Sequence, residues 1–154
     1  MSILRRSVIK GASSGGLLAV LATGLLRPTQ ALAWNKAAFE ATDTVGSLKM
    51  LGAASTADSK DLVLTAPDIA ESGAAVPIDI VSNIPNTISL AVLVDKNPAP
   101  LSGVYYFSNG ALPDVSMRLK LGQTSIVRVV AKTSDGKFYQ AQKEVRVTAG
   151  GCGE

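Results

Sequence analysis

From Leu62 onward, apolar and polar residues alternate with a period of two, the signature of strands buried on one face. Val76, Ile78 and Ile80 alternate with Pro77 and Asp79, and Ile88, Leu90, Val92 and Val94 form the next run. Val115, Met117, Leu119 and Leu121 are set against Ser116, Arg118 and Lys120, and Val127, Val129 and Ala131 against Arg128 and Lys132. The last run, Lys137 to Thr148, puts Tyr139, Ala141, Val145 and Val147 on one face and Gln140, Gln142, Glu144 and Arg146 on the other. Ahead of these runs, the stretch from Trp34 to about Leu51 reads as partly helical. Ala37, Ala38 and Ala41 favour helix, and Phe39, Leu48 and Leu51 offer an apolar edge. Thr42-Asp43-Thr44 and Gly46 weaken the middle, so the helix is expected to break or start late; Ala53 to Ala57 is a small-residue connector.

Turn chemistry separates the strands. Asn109-Gly110 and Asp135-Gly136 tolerate positive φ in tight hairpins, and Gly122-Gln123 sits at hairpin distance between two strands. Asn97-Pro98-Ala99-Pro100 is excluded from a central strand because both prolines lack an N–H donor; it predicts a sheet-edge crossing or a rigid exposed loop. About seven short strands at this spacing predict an all-β fold, an immunoglobulin-like two-sheet sandwich with an N-terminal helical segment. Tyr105, Tyr106 and Phe107 are adjacent, so alternation must turn at least one outward, over a loop or into an interface.

The first 33 residues change the picture of charge and compartment. Arg5-Arg6, then Val8, Ile9 and Lys10, precede a mildly apolar stretch from Gly11 to Leu26, and Ala31-Leu32-Ala33 is a small-x-small cleavage pattern. This resembles a twin-arginine signal, with Leu4 and Val8 as departures from its usual pattern; the competing reading is an uncleaved N-terminal anchor. Its apolar stretch is shorter than the roughly 20 residues that span a bilayer as a helix. Cleavage after Ala33 leaves 154 − 33 = 121 residues and removes Arg5, Arg6, Lys10 and Arg27. The formal +3 of the whole chain, from 15 basic and 12 acidic residues, becomes −1, so basicity carries no nucleic-acid signal. Residues 1–33 are thus read as the signal, 34–57 as helical segment and connector, 58–148 as the sandwich and 149–154 as a C-terminal arm. The expected location is the periplasm.

The chain has no histidine and one cysteine, which removes Ser-His and Cys-His dyads, internal disulfides and multi-cysteine metal sites. No catalytic residue, metal ligand or cofactor site is assigned. The lone Cys152 lies in Ala149-Gly150-Gly151-Cys152-Gly153-Glu154, where Gly150, Gly151 and Gly153 predict a thin, flexible arm. Extended at roughly 3.3–3.6 Å per residue, the stretch from Thr148 would carry the sulfur on the order of 15 Å from the sandwich. Such an arm suits a thiol that serves as another enzyme's substrate. Two other classes stay open: a structural or adhesive sandwich whose Cys152 forms an intermolecular disulfide, and a thiol enzyme. The last would want a resolving cysteine or a neighbour that activates the thiol, and the sequence offers neither.

The signal, the Pro67-Asp68-Ile69-Ala70-Glu71-Ser72-Gly73 block before Val76-Pro77-Ile78, the Val94-Asp95-Lys96-Asn97-Pro98-Ala99-Pro100 block and the terminal Gly150 to Gly153 together resemble the SoxY family. Its members are the sulfur-carrying subunits of the periplasmic thiosulfate-oxidising system. The family commonly ends in Gly-Gly-Cys-Gly-Gly, whereas Glu154 stands last here. The resemblance implies a non-enzymatic carrier, with Cys152 as the covalent sulfur attachment site and Gly150, Gly151 and Gly153 as a swinging arm. It also implies partners: a SoxZ-like β-sandwich subunit in a heterodimer, a haem-containing c-type cytochrome that conjugates thiosulfate, and a manganese-dependent sulfate-releasing hydrolase. In many organisms a sulfane dehydrogenase joins them. Export in the folded state would allow a signal-less partner to cross already bound.

Overall fold

The computed structural model describes residues 35–149. Two short helices, α1 (Lys36–Glu40) and α2 (Thr44–Met50), precede nine strands. These are β1 (Ala57–Asp58), β2 (Leu62–Thr65), β3 (Ile69–Ser72), β4 (Val76–Ser82), β5 (Thr87–Val94), β6 (Leu101–Tyr106), β7 (Asp114–Leu119), β8 (Ser125–Thr133) and β9 (Phe138–Ala149). The larger sheet has the order β1-β9-β8-β5-β6, with β3 also on β9; the smaller is β2-β4-β7.

The expected break in the helical segment falls where Asp43 leaves helical geometry, at φ −140° and ψ 156°, to cap α2. Its Oδ1 accepts from Gly46 N–H at 2.7 Å, as Asn35 Oδ1 accepts from Ala38 N–H at 3.2 Å to cap α1. Gly52, at φ +79°, closes α2: its N–H donates to Lys49 and that of Ala53 to Leu48. Phe39, Leu48 and Leu51 then pack, with buried Ala38 and Ala53, on Ala91, Leu93, Leu101 and Val130.

Between the sheets, Ile78, Ile80, Leu90, Val92, Val94, Leu119, Leu121, Val127, Val129 and Val145 form the main core. Alternation identified this inner face. It did not show that β5 and β8 are covered on both faces, the outer one by α1 and α2. That second burial explains the unbroken apolar run from Leu90 to Val94. Ile88 departs from its expected run: a register shift between Thr87 and Ser89 displaces it, and it is 37 % exposed.

Two expected hairpins are crossovers. The strands flanking Gly122-Gln123, β7 and β8, lie in different sheets, as do β6 and β7 on either side of Asn109-Gly110. Asn109 and Gly110 do adopt positive φ, at 54° and 77°, but the turn carries the chain from one sheet to the other. Asp135-Gly136 does join a paired hairpin, β8 to β9, with only Gly136 left-handed, at φ +83°. Thr133 N–H bonds to Lys137 O and Gly136 N–H to Thr133 O, consistent with a type I turn followed by a glycine bulge. β1 and β3, of two and four residues, raise the strand count above the expected seven. Both pair parallel to β9, at opposite ends of its length.

Candidate functional site at the base of the C-terminal arm

Cys152, Gly150, Gly151 and Gly153 lie outside the described residues; the structure describes the base from which they depart. β9 runs through Ala149, one residue into the stretch read as the arm. Its partner β8 begins at Ser125, opposite Val145, so β9 continues past the end of β8. The overhang is held from both flanks. On one side β3 pairs Ile69 with Arg146, Ala70 with Val147 and Ser72 with Ala149, while Arg146 N–H donates to Asp68 O at 3.0 Å. Thr148 Oγ1 donates toward Glu71 O at 3.1 Å, with Ala70 O at 3.5 Å. On the other, Thr124 Oγ1 accepts from Val147 N–H at 3.0 Å, doing what a longer β8 would have done.

The two motif blocks that lie within the described residues meet at this end of the sandwich. The block from Pro67 to Gly73 contains β3 itself, beside the end of β9. Gly73 O accepts from Leu121 N–H at 2.8 Å, which ties it to the crossover after β7. Asn97 then grips that crossover: its Nδ2 donates to Lys120 O at 2.7 Å and its Oδ1 accepts from Gly122 N–H at 3.2 Å. The Asn97-Pro98-Ala99-Pro100 segment is the loop joining β5 to the edge strand β6, as the missing N–H donors require. Pro100 is buried, and its carbonyl accepts from Val94 N–H at 2.8 Å. Ser125 Oγ accepts from Lys96 N–H at 3.0 Å, fixing the same loop to the start of β8.

A polar chain runs from this end across the outer face of the large sheet. Arg128 Nη2 meets Asp95 Oδ2 at 3.2 Å, with side chains 17 % and 23 % exposed. Thr44 Oγ1, on α2, donates to the other Asp95 oxygen at 3.0 Å. Arg128 Nη1 donates to Gln140 Oε1, whose Nε2 donates to Asp58 on β1. One cluster therefore ties α2, the loop after β5, β8, β9 and β1 together.

Sequence reasoning missed Thr124, Thr148 and β3 as parts of the arm's base. A parallel pairing across more than seventy residues leaves no local pattern, and a hydroxyl standing in for a strand looks like any loop threonine. Of the three adjacent aromatics, Tyr105 and Phe107 pack on the core, and Tyr106 turns outward at 65 % exposure. Among the described residues, no group of three His, Cys, Asp or Glu is placed to hold a metal ion. An open cavity of about 350 Å³, lined by Ser82, Thr87, Phe107 and Pro113 among others, lies at the end opposite the arm.

The family described as "Sulfur oxidation protein SoxY" matches residues 48–152, a span that includes β3, the Asn97 loop, β9 and the tail as far as Cys152. The chain belongs to the SoxY family. Among solved structures, the sulfur carrier protein SoxY from Chlorobium limicola f thiosulfatophilum is 31 % identical, with a TM-score of 0.56. The match covers 62 % of this chain and 87 % of that one. A superoxide reductase (neelaredoxin) from Ignicoccus hospitalis is 19 % identical over 59 % of this chain and 82 % of its own, with a TM-score of 0.52. At that identity the likeness extends to the fold alone. No curated protein matches the chain. The SoxY match and the geometry meet at one place, because the blocks from Pro67 to Gly73 and from Val94 to Pro100 flank the end of β9 and the crossover beside it.

Proposed function

We propose that this SoxY chain is a sulfur carrier without catalytic activity of its own, holding thiosulfate-derived intermediates on Cys152. The observation that carries the reading is the family match reaching residue 152, together with a strand that delivers the chain to Ala149 on a doubly anchored base. A c-type cytochrome conjugates thiosulfate: a sulfur–sulfur bond forms to Cys152 Sγ, the thiol proton is released and an electron pair passes to the haem protein. A manganese-dependent hydrolase then adds water to the terminal sulfone. The bond between the two thiosulfate-derived sulfurs breaks, sulfate and protons leave, and a persulfide stays on Cys152. Where a sulfane dehydrogenase acts, it takes six electrons from that outer sulfur as three oxygens enter from water and protons leave, and a second hydrolysis releases sulfate and frees the thiol. A free thiol titrates at about 8.5 and is only a few per cent thiolate at neutral pH, so an oxidising partner is needed to drive conjugation.

Gly150, Gly151 and Gly153 serve as the swinging arm, thin enough for a partner's tunnel, and a SoxZ-like sandwich completes the heterodimer. The chain works in the periplasm, carried there folded by the twin-arginine route. The test is intact mass of mature protein from thiosulfate-exposed cells, with and without reductant, followed by mapping of the C-terminal peptide. A reductant-labile sulfur or thiosulfonate adduct on Cys152 is expected. A bare thiol, or a disulfide-linked dimer alone, would overturn the reading.

A further inference from the structure

We propose that Thr124 and Thr148 are positioning residues that set the origin, and hence the reach, of the arm carrying Cys152. The proposal rests on the carrier reading for its functional consequence and on the overhang of β9 for its physical basis. Past Val145, β9 has no β8 neighbour, so β3 holds one flank of the strand end and Thr124 the other, and a strand end that loses such support frays. The two hydroxyls act on opposite flanks. Thr124 Oγ1 takes the Val147 N–H that β8 no longer reaches, and Thr148 Oγ1 bonds the β3 carbonyl of Glu71. With Arg146 N–H on Asp68 O and Ala149 opposite Ser72, the clamp extends to the residue before Gly150.

On the carrier reading, this clamp controls the number of residues between anchored backbone and the sulfur. Anchored through Ala149, the sulfur is three residues from fixed backbone (Gly150, Gly151 and Cys152). Freed from Arg146 onward, it is seven residues away. The effective concentration of a tethered group falls roughly as the −3/2 power of tether length, so fraying dilutes the thiol at a partner's reactive centre about three- to fourfold. Neither hydroxyl touches a reacting atom; both act through the backbone of β9.

The test uses the mature chain with its partner subunit, as wild type, Thr124→Val, Thr124→Ser and Thr148→Val. Amide exchange at Val147 and the mobility of a nitroxide on Cys152 report the clamp. Both should rise in the valine variants and return to wild type with Thr124→Ser, which keeps the acceptor oxygen. Conjugation of thiosulfate by the cytochrome should fall in kcat/KM, by up to about fourfold if β9 frays fully from Arg146, while alkylation by iodoacetamide in free solution keeps its rate. Thr148 is exposed, so Thr148→Val decides the matter if Thr124→Val fails to fold. Unchanged exchange and mobility in a folded valine variant would overturn the clamp. A looser arm conjugated at the wild-type rate would overturn its positioning role. If wild type itself takes up no thiosulfate, the carrier reading fails alone, and exchange and mobility still decide the clamp.

Discussion

Asn97 holds Lys120 from across the sandwich end: its Nδ2 donates to the Lys120 carbonyl at 2.7 Å while its Oδ1 accepts from Gly122 N–H. One amide side chain thus serves as donor and acceptor for the crossover from β7 to β8, the segment that leads into Thr124. Asn97→Ala leaves the exposed Lys120 carbonyl and the half-buried Gly122 N–H without this partner, and should cost about 1 kcal/mol in chemical denaturation. Asn97→Asp keeps the acceptor for Gly122 but turns a donor into an anion facing the Lys120 carbonyl. It should therefore be at least as damaging as alanine. Stability within error of wild type for both variants would show that the grip contributes nothing.

Asp95 is the junction of the outer polar chain, accepting from Arg128 and from Thr44 at once. Asp95→Ala leaves a largely buried guanidinium uncompensated and releases α2 from the loop after β5. A fully buried pair loses about 3–5 kcal/mol when one partner is removed; the partial exposure here lowers the expectation to about 2 kcal/mol. Because the two contacts share one carboxylate, Thr44→Val and Arg128→Met should combine non-additively in a double-mutant cycle. Strict additivity would argue that Asp95 holds the two independently.

The turn between β8 and β9 carries an acid-sensitive contact. The bond from Lys137, and then that from Thr133, hold Asp135 down at about 2. Its folded value lies below the roughly 3.9 of an unfolded aspartate. The contribution is therefore complete above about pH 4 and lost as pH falls through about 2. A carboxyl titration followed by NMR should place the Asp135 transition near 2, with Lys137 amide exchange accelerating through it. In Asp135→Asn that acceleration should disappear. A midpoint near that of an unfolded aspartate would contradict the contact.

The sandwich was legible because alternating runs send one set of side chains into the space between the sheets, and Val76, Ile78, Ile80, Val127 and Val129 all lie where the period puts them. The helix break was legible too, since Asp43 is a capping residue inside an otherwise helical stretch. What escaped was long-range. Gly122-Gln123 has the same chemistry whether its flanking strands pair or cross between sheets. β3 shows one buried residue in four, too little to declare a period, and its partner lies at the far end of the chain. The arm's root was therefore visible in the sequence only as motif blocks that resemble a family. Their physical roles, a flanking strand for Pro67 to Gly73 and a clasp for Asn97, required the fold.

Under the proposed twin-arginine route, export of the folded chain would depend on Arg5 and Arg6. Replacing both should strand the protein in the cytoplasm, together with a signal-less SoxZ-like partner if the two cross as a complex. Fractionation and immunoblotting of both subunits read the result. The partner outside while this chain stays inside would rule out co-export, and both outside would remove the twin-arginine assignment.

Cys152→Ser separates carrier from scaffold. The exchange replaces one atom in a tail that begins beyond the last strand, so thermal unfolding and partner binding should match wild type. Thiosulfate-dependent growth, however, should be abolished, because a hydroxyl oxygen cannot form the sulfur–sulfur bond that conjugation requires. A merely reduced rate would not fit, since no other thiol exists in the chain to take over. A structural or adhesive sandwich predicts the opposite: full function in a variant that folds and binds its partners. A folded, partner-bound Cys152→Ser protein that still supports growth on thiosulfate would place the chain's contribution elsewhere than its tail.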